Sequence, residues 1–368
     1  MKNLLALAIV LSSVSAFATR ARVTALGNSP HLIDVALSSP DQVFGLGDSL
    51  TVESGATTTT LTALPATTPT RLSTNTANAE GTLYKSMGAG KLGLALGHQD
   101  TLVNTMRRSA VTAIPAIKAQ QNPLEVSYSM NIADLVGSAG IIYSNYDKKS
   151  PAPTEKESTM GVRLGVSNSM FYGNVKLLVA DKYETPTVEY KGKMGIDLKG
   201  GMNFGETLSA HANIVSFGYK TSAAGTDTSD VEGMLISVKL VDAVKKDGNN
   251  FFYGVGLSTV STKQKIGAEN KGSTLNLPLI IGLEATANSW LTLRASVQQD
   301  VLLSNEKTEV AGTASSETNP GLNTTTYAAG ASFAFNKISI DGTLTNGAGN
   351  QTINGTDLLG MVGLTYNF

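Results

Sequence analysis

From about residue 49 to its last residue, this sequence alternates apolar and polar side chains in long runs, and the connections between runs alternate in length. In Thr274 to Ala285, Leu275, Leu277, Leu279, Ile281 and Leu283 share one face, while Asn276, Pro278 and Glu284 lie on the other. Between Leu291 and Val301, Leu293, Ala295 and Val297 oppose Arg294, Ser296, Gln298 and Asp300. A period of two is the signature of strands with unlike faces. Many runs reach about 12–14 residues, against the 5–6 typical of soluble sheets.

About sixteen such strands can be marked, within a range of 14–16, from 49–55 and 79–87 to 337–345 and 357–368. Long connections fall at 56–78, 99–122, 147–156, 221–229, 264–272, 303–324 and 346–356. Short ones fall between them, at Gly88-Ala89, Ile132 to Asp134, Ser169, Ala287-Asn288 and Asn336. Tight turns at one end and long loops at the other are what an up-and-down transmembrane barrel requires. Only a closed barrel satisfies every backbone group of a sheet in hydrocarbon.

Composition agrees with this reading. Charged residues are 15% of the 368, cysteine is absent, and the formal net charge is −1. The missing cysteines remove disulfide scaffolds, thiolate-held metals and thiol nucleophiles. The balanced charge argues against a nucleic-acid face.

The N-terminus reads as an export signal. Lys2 precedes the apolar run Leu4 to Val14, and Ala16-Phe17-Ala18 offers small residues for cleavage at Ala16 and Ala18. The run is too short to span a membrane as a helix, which takes about 20 residues. The expected division is therefore signal peptide 1–18, a segment 19–48 acting as a periplasmic strap, plug or extra strand, and a barrel over 49–368.

Phe171, Tyr172, Phe251, Phe252, Tyr253, Trp290, Phe333, Phe335, Tyr366 and Phe368 lie at strand ends beside short turns. Tyr146, Tyr183, Tyr190, Tyr219 and Tyr327 lie near the long-loop ends. That distribution predicts aromatic girdles at both membrane interfaces.

In the last strand Val362, Leu364, Tyr366 and Phe368 share a face. It resembles the C-terminal sorting strand of Gram-negative outer-membrane β-barrel proteins, with a final Phe and an aromatic residue two positions before it. The resemblance implies Tyr366 and Phe368 as an assembly signal read by the barrel-assembly machinery. It also implies residence in the outer membrane among its lipid and lipopolysaccharide. Length and strand count look like the 16-stranded general porins, which brings a homotrimer as an expectation. The first strand and acidic constriction-loop motif of the enterobacterial porins do not occur here, so their eyelet residues are not carried over. The stretch Ala21 to Gly47, with Arg20-Ala21-Arg22 and Ala25-Leu26-Gly27, is similar to the start of abundant barrel proteins from predatory delta-group bacteria.

Candidate chemistry is sparse, and no catalytic, metal or cofactor site is expected. Gly88-Ala89-Gly90-Lys91-Leu92-Gly93 fits G-x-G-x-x-G, but that fingerprint needs a helix next, and Leu92, Leu94 and Leu96 alternate as a strand. His98-Gln99-Asp100, where a strand meets a long loop, is expected to be a solvated loop end.

Charges on the polar faces argue for a wet lumen. Arg163, Lys176, Lys191, Lys193, Lys199, Lys239 and Arg294 are expected to point inward, against Glu125, Glu189, Asp197, Glu284, Asp300 and Asp341. An inserted loop is a further route to selectivity, because charged rings control permeation. Arg107 and Arg108 in loop 99–122 would form a basic constriction if it folded inward, although a surface position is the favoured expectation. The function these features point to is passive diffusion of small hydrophilic solutes and ions through an outer-membrane porin, with no chemical step. The alternatives are a plugged, fatty-acid-transporter-like barrel and a structural or adhesive barrel without an open pore.

Overall fold

The computed structural model describes residues 19–33, 39–55, 78–110, 117–149, 154–266, 268–302, 306–310, 313–317, 324–345 and 359–368. The expected signal peptide, with Ala16 and Ala18, lies outside them, as does most of loop 56–78.

The strands form one antiparallel sheet that closes on itself. The first, β1 (Ser49–Gly55), pairs with β2 (Asn78–Met87) on one side and with the last strand, Leu359–Asn367, on the other. Next come β3 (Gly90–Leu96), β4 (Leu124–Ile132), β5 (Leu135–Lys148), β6 (Glu155–Ser167) and β7 (Phe171–Glu184). Strand β8 is interrupted at Lys193 and Met194, running as Val188–Gly192 and then Gly195–Phe204. The wall continues through β9 (Leu208–Ala223), β10 (Thr226–Lys246), β11 (Asn249–Ile266), β12 (Ala268–Asn288) and β13 (Leu291–Leu302). It is completed by β14 (Thr324–Phe335), β15 (Ile338–Thr345) and β16 (Leu359–Asn367). A hairpin of Glu306–Val310 and Thr313–Glu317 prolongs the wall beside β12. Of the 19 strand segments, two are halves of β8 and two belong to this hairpin, which leaves 16 staves.

Local chemistry explains the short turns. Asp247 and Gly248 both take positive φ, 51° and 78°, which is the type I′ pair that matches strand twist in a two-residue hairpin. The faces divide as the alternation predicts. In β1, Ser49, Thr51 and Glu53 turn inward and are buried, while Leu50 and Val52 point outward and are exposed. Met160 and Leu164, Val238 and Leu240, Ile281 and Leu283, and Val362 and Leu364 continue the outward apolar belt. A belt of this extent has no place against water. It is the hydrocarbon-facing surface of a membrane barrel.

Wall height is uneven. β1 and β3 have 7 residues each, whereas β10 and β12 have 21. Two inserts occupy part of the interior: helix α1 (Arg20–Ala25) with residues 26–33 and 39–48, and helix α2 (Thr101–Ala110) between β3 and β4. Residues 99–110 and 117–122 fold inward, which departs from the surface position expected for this loop. No helix among the described residues is long and apolar enough to cross a membrane.

Candidate functional site: an occupied lumen

Helix α2 is seated toward the long-loop end of the barrel. The Asp100 carboxylate accepts the N–H groups of Leu102 (2.8 Å) and Val103 (3.2 Å), which caps the helix start. Burial alone would push the Asp100 carboxyl up, but the Lys176 ammonium at 2.6 Å, with the Val103 N–H, holds it well below the usual carboxylate range. One side of α2 is apolar. Leu102, Val103, Met106 and Ala110 pack on Leu178, Tyr183, Tyr190, Phe217, Tyr219 and Val231.

Arg107 extends from the same helix and is 1% exposed. Its guanidinium donates to Asp181 through Nε (3.1 Å) and to Glu157 (2.8 Å) and the Thr159 hydroxyl (3.0 Å) through Nη2. The fixed fork of five N–H donors is what lets one arginine serve both carboxylates.

The N-terminal segment is seated toward the short-turn end and touches the wall on opposite sides. Thr19 caps α1, accepting the Arg22 N–H at 3.1 Å, and its own hydroxyl donates to Asp341 on β15 (2.9 Å). Arg22 forks onto Glu284 on β12 at 2.7 and 2.8 Å. Glu284 also accepts from Arg294 on β13 (2.6 Å), which in turn donates to Asp341 (2.8 Å). Leu26 and Leu32 pack on Val241, Ala243, Phe252 and Ile280 of β10–β12, and His31 meets the Phe252 ring edge-on at 4.6 Å. Across the lumen, Ser138 on β5 donates to Asp41 (2.8 Å), and the Lys91 ammonium on β3 donates to the carbonyl of Leu46. Arg20 pairs with Glu80 on β2.

Two wall glycines make room for this segment. A Cβ at Gly330 on β14 would stand 2.7 Å from the Ala25 Cβ, and one at Gly165 on β6 would stand 2.0 Å from Asp41 Oδ1. Real Cβ atoms do not approach so closely, so any side chain at either position would shift the segment.

The lumen is not filled throughout. On the inner face of β9–β13, Asn213, Ser237, Lys239, Ser258, Asn276 and Gln298 keep intermediate exposure. Beside them lies an apolar row of the same exposure, Val215, Leu235 and Val260, which are opposite one another in register, so the open surface is mixed, with polar residues in the majority. Among the described residues no group of His, Asp and Glu is arranged to hold a metal ion.

The expected lumen charges are mostly where alternation put them. Arg163 pairs with Glu125 (3.1 Å), Lys176 lies 3.9 Å from Asp197, Lys199 lies 3.3 Å from Asp197, and Arg294 is buried in the network above. Asp300 lies on the inner face of β13 with intermediate exposure. Arg107 belongs to the site as a buried strut of α2. The side chain of Arg108 lies outside the described residues.

Lys191, Lys193 and Glu189 depart from expectation. The break in β8 resets its alternation, so Tyr190 faces the lumen at 0% exposure while Lys191 and Glu189 pair on the outside (2.9 Å). Lys193 reaches Asp230 and Glu232, at 2.6 Å each, on the outer face of β10. Tyr183 and Tyr219 also face inward, at 1% and 2% exposure, so three of the five tyrosines expected in the long-loop girdle support α2 instead. Tyr366 and Phe368 point outward and meet edge-on at 5.4 Å.

His98 and Asp100 do not form a solvated loop end. Both are buried and they take different partners, His98 Nδ1 lying 2.6 Å from Glu80 and Asp100 lying against Lys176. After Gly88 and Ala89 the chain continues as strand β3, so no helix terminus is offered to a phosphate.

Sequence reasoning did not single out Glu157, Asp181, Glu80, Arg20, Arg22 or Asp41. Their signal was present in part: Glu157, Thr159 and Arg163 are inward-facing positions of one strand, and such charge on a barrel strand requires partners.

No family model matches the sequence, and no curated protein does. Among solved structures, a bacterial polysaccharide outer-membrane secretin is similar at 8% identity and TM-score 0.45, over 90% of this chain and 100% of that one. A Rhodopseudomonas blastica porin triple mutant is similar at 9% and 0.31, over 88% and 99%. The CymD monoaromatic hydrocarbon channel is similar at 10% and 0.39, over 94% and 96%. With such scores nothing about activity carries over from them, and they lend no support to the narrower resemblance to barrels of predatory bacteria.

Proposed function

We propose that this chain is an outer-membrane channel for small hydrophilic solutes and ions, stopped at its periplasmic mouth by its own N-terminal segment and narrowed on the outer side by α2. The observation that carries the reading is the seating of residues 19–33 and 39–47. Their contacts fall on β2, β3 and β5 on one side and on β10–β13 and β15 on the other. A segment anchored on opposite walls obstructs simple through-flow, so diffusion requires it to yield. On the open inner face Asn213, Ser237, Lys239, Ser258, Asn276 and Gln298 outnumber the apolar Val215, Leu235 and Val260, which supports hydrophilic cargo over a fatty acid. Cations and anions pair along the wall, which supports weak rather than strong ion preference. No residue is assigned a chemical step. Outer-membrane residence, assembly through Tyr366 and Phe368, and a homotrimer belong to the same proposal.

Planar-bilayer recording tests it. Residues 19–368 should give small, intermittent conductance steps, and a chain lacking 19–47 should give larger, sustained ones. Large sustained steps from both would defeat the plug reading and leave an open porin. Silence from both, with correct folding shown by a heat-modifiable gel shift, would favour the structural barrel.

A further inference from the structure

The outer surface of the tall wall carries a pattern that transport through the lumen does not use. Where the apolar belt ends toward the long loops, the outward positions of β7 to β12 turn to lysine. Lys182 on β7 lies directly opposite Lys191 on β8, which lies opposite Lys220 on β9. The line continues through Asp230 on β10 to Lys265 on β11. A second line, nearer the belt, runs from Glu232 through Lys263 to Lys271 on β12.

Like charges directly opposite in an antiparallel pair are destabilising, and this wall makes that juxtaposition three times. A local rule broken repeatedly on one surface marks a functional constraint. The carboxylates Glu184, Glu189, Asp230 and Glu232 sit among the lysines, with Lys182 3.0 Å from both Glu184 and Glu189, Lys191 2.9 Å from Glu189 and Lys220 3.6 Å from Asp230. They do not separate the Lys182, Lys191 and Lys220 positions, which remain neighbours in register.

On one side the charged edge continues through Glu184 on β7 and Lys156 on β6 to Asp147 on β5, whereas on the other side the outward positions are the uncharged Gln299 on β13 and Tyr327 on β14. Over β7–β9 the tyrosines that could have formed an aromatic girdle face the lumen instead. At the opposite edge the belt ends in outward rings, among them Phe251, Tyr253, Trp290, Phe335 and Phe368. The short-turn edge of this wall thus ends mainly in aromatic residues and the long-loop edge in lysines and their carboxylate partners.

We infer that the lysine arc of β7–β12 is a docking surface for the phosphate groups of outer-leaflet glycolipid, each lysine contributing a point charge at the depth where such headgroups begin. The inference rests on the outer-membrane reading above. Lysine at a membrane edge is attracted to anionic headgroups, and the attraction is screened by salt. The paired carboxylates keep the arc folded before lipid arrives, and lipid phosphates replace them as partners.

The test measures binding of fluorescent bisphosphorylated lipid A to the folded chain 19–368 in neutral detergent. Native protein should bind, weaken about tenfold or more as salt rises through the range that screens surface charge, and bind dephosphorylated lipid A at least about tenfold more weakly. The variant K182Q/K191Q/K220Q/K263Q should lose about tenfold or more, the matching Lys→Arg variant should retain binding, and K246Q at the other edge should match native. Equal binding by the Gln variant, or equal binding of dephosphorylated lipid, would overturn the inference. Displacement by inorganic phosphate alone would overturn it in favour of a free-phosphate site. If the Gln variant does not fold, the salt and dephosphorylation arms decide on the native chain. A chain that fails to insert into phosphatidylcholine vesicles defeats the membrane reading itself, whereas one that inserts but ignores lipid phosphate defeats only the arc.

Discussion

The two inserts occupy one lumen but are held by different forces. Helix α2 is wedged by an apolar and aromatic cluster, with one arginine buried between two wall carboxylates. The N-terminal segment has two smaller apolar contacts, Leu26 with Leu32 against β10–β12 and Val43 with Ile33 and Leu46 against Tyr84, and is held besides by polar pairs spread around the wall. Burial of apolar surface contributes roughly 25 cal/mol per Å² and has no competitor when water enters. Ion pairs exchange for hydrated ions at nearly even cost. The difference makes α2 a fixed constriction and the N-terminal segment the part able to leave.

Arg107→Ala attacks the firmer of the two and should have the largest effect. It leaves Asp181 and Glu157 buried without their shared cation, and breaking a buried pair in this way costs about 3–5 kcal/mol. The urea midpoint of the folded band on cold gels should fall, and the conductance of barrels that still fold should rise as α2 lifts. Arg107→Lys should recover only part of the loss, because an ammonium lacks the fork. A native midpoint and native conductance in Arg107→Ala would show that the aromatic wedge alone seats the helix.

Arg22→Gln probes the looser insert and should do less. Glu284 keeps Arg294 at 2.6 Å, so no carboxylate is abandoned and the loss is that of charge-assisted hydrogen bonds, about 1.5–3 kcal/mol. That loss should fall on the docking of 19–47 and leave the barrel's own stability near native. More frequent opening in bilayers, reproduced in the native chain by high salt, is the expected record. A fall in the urea midpoint as large as that of Arg107→Ala would erase the distinction between the inserts.

The barrel was legible in the sequence because period-two alternation and loop lengths are local signals repeated many times. The contents of the lumen were legible only in part. Arg163, Lys176 and Arg294 follow from parity within unbroken strands and Asp197 from parity within the second half of β8, but Lys191 and Lys193 do not, because the break at Lys193 and Met194 inverts the face. Nothing nearby in sequence announces that inversion. What shows it is Tyr190 packing beside Met106, some eighty residues earlier in the chain. The inward fold of residues 99–110 and 117–122 is hidden for a similar reason: Arg107 looks like surface charge until Asp181 and Glu157, on two other strands, stand beside it. The glycines at 165 and 330 read as ordinary strand residues, and only the N-terminal side chains that approach them, Asp41 and Ser39 at Gly165 and Ala25 at Gly330, explain their size.

Acidification should separate the inserts most gently. Burial, with the positive charges of His211, Lys245 and Arg22 adding to it, lowers the His31 imidazole to about 3, although Glu284 opposes the shift. An imidazole released into water titrates near 6.5. Above that pH the docked and released forms are both neutral and docking is undisturbed. As pH falls from 6.5 toward 3 the released segment takes up a proton that the docked one refuses, so docking weakens by at most about 1.4 kcal/mol per pH unit. Between about pH 6.5 and 5 most exposed carboxylates remain ionised, so histidine dominates the response there. Opening frequency in bilayers should therefore rise across that window in the native chain and stay nearly level in His31→Gln. Helix α2 carries no histidine along Thr101–Ala110, so the gel midpoint that reports Arg107 should move little over the same range. An unchanged pH response in His31→Gln would show that this imidazole does not set the docking equilibrium and that the segment's hold at Leu26 and Leu32 is indifferent to its charge.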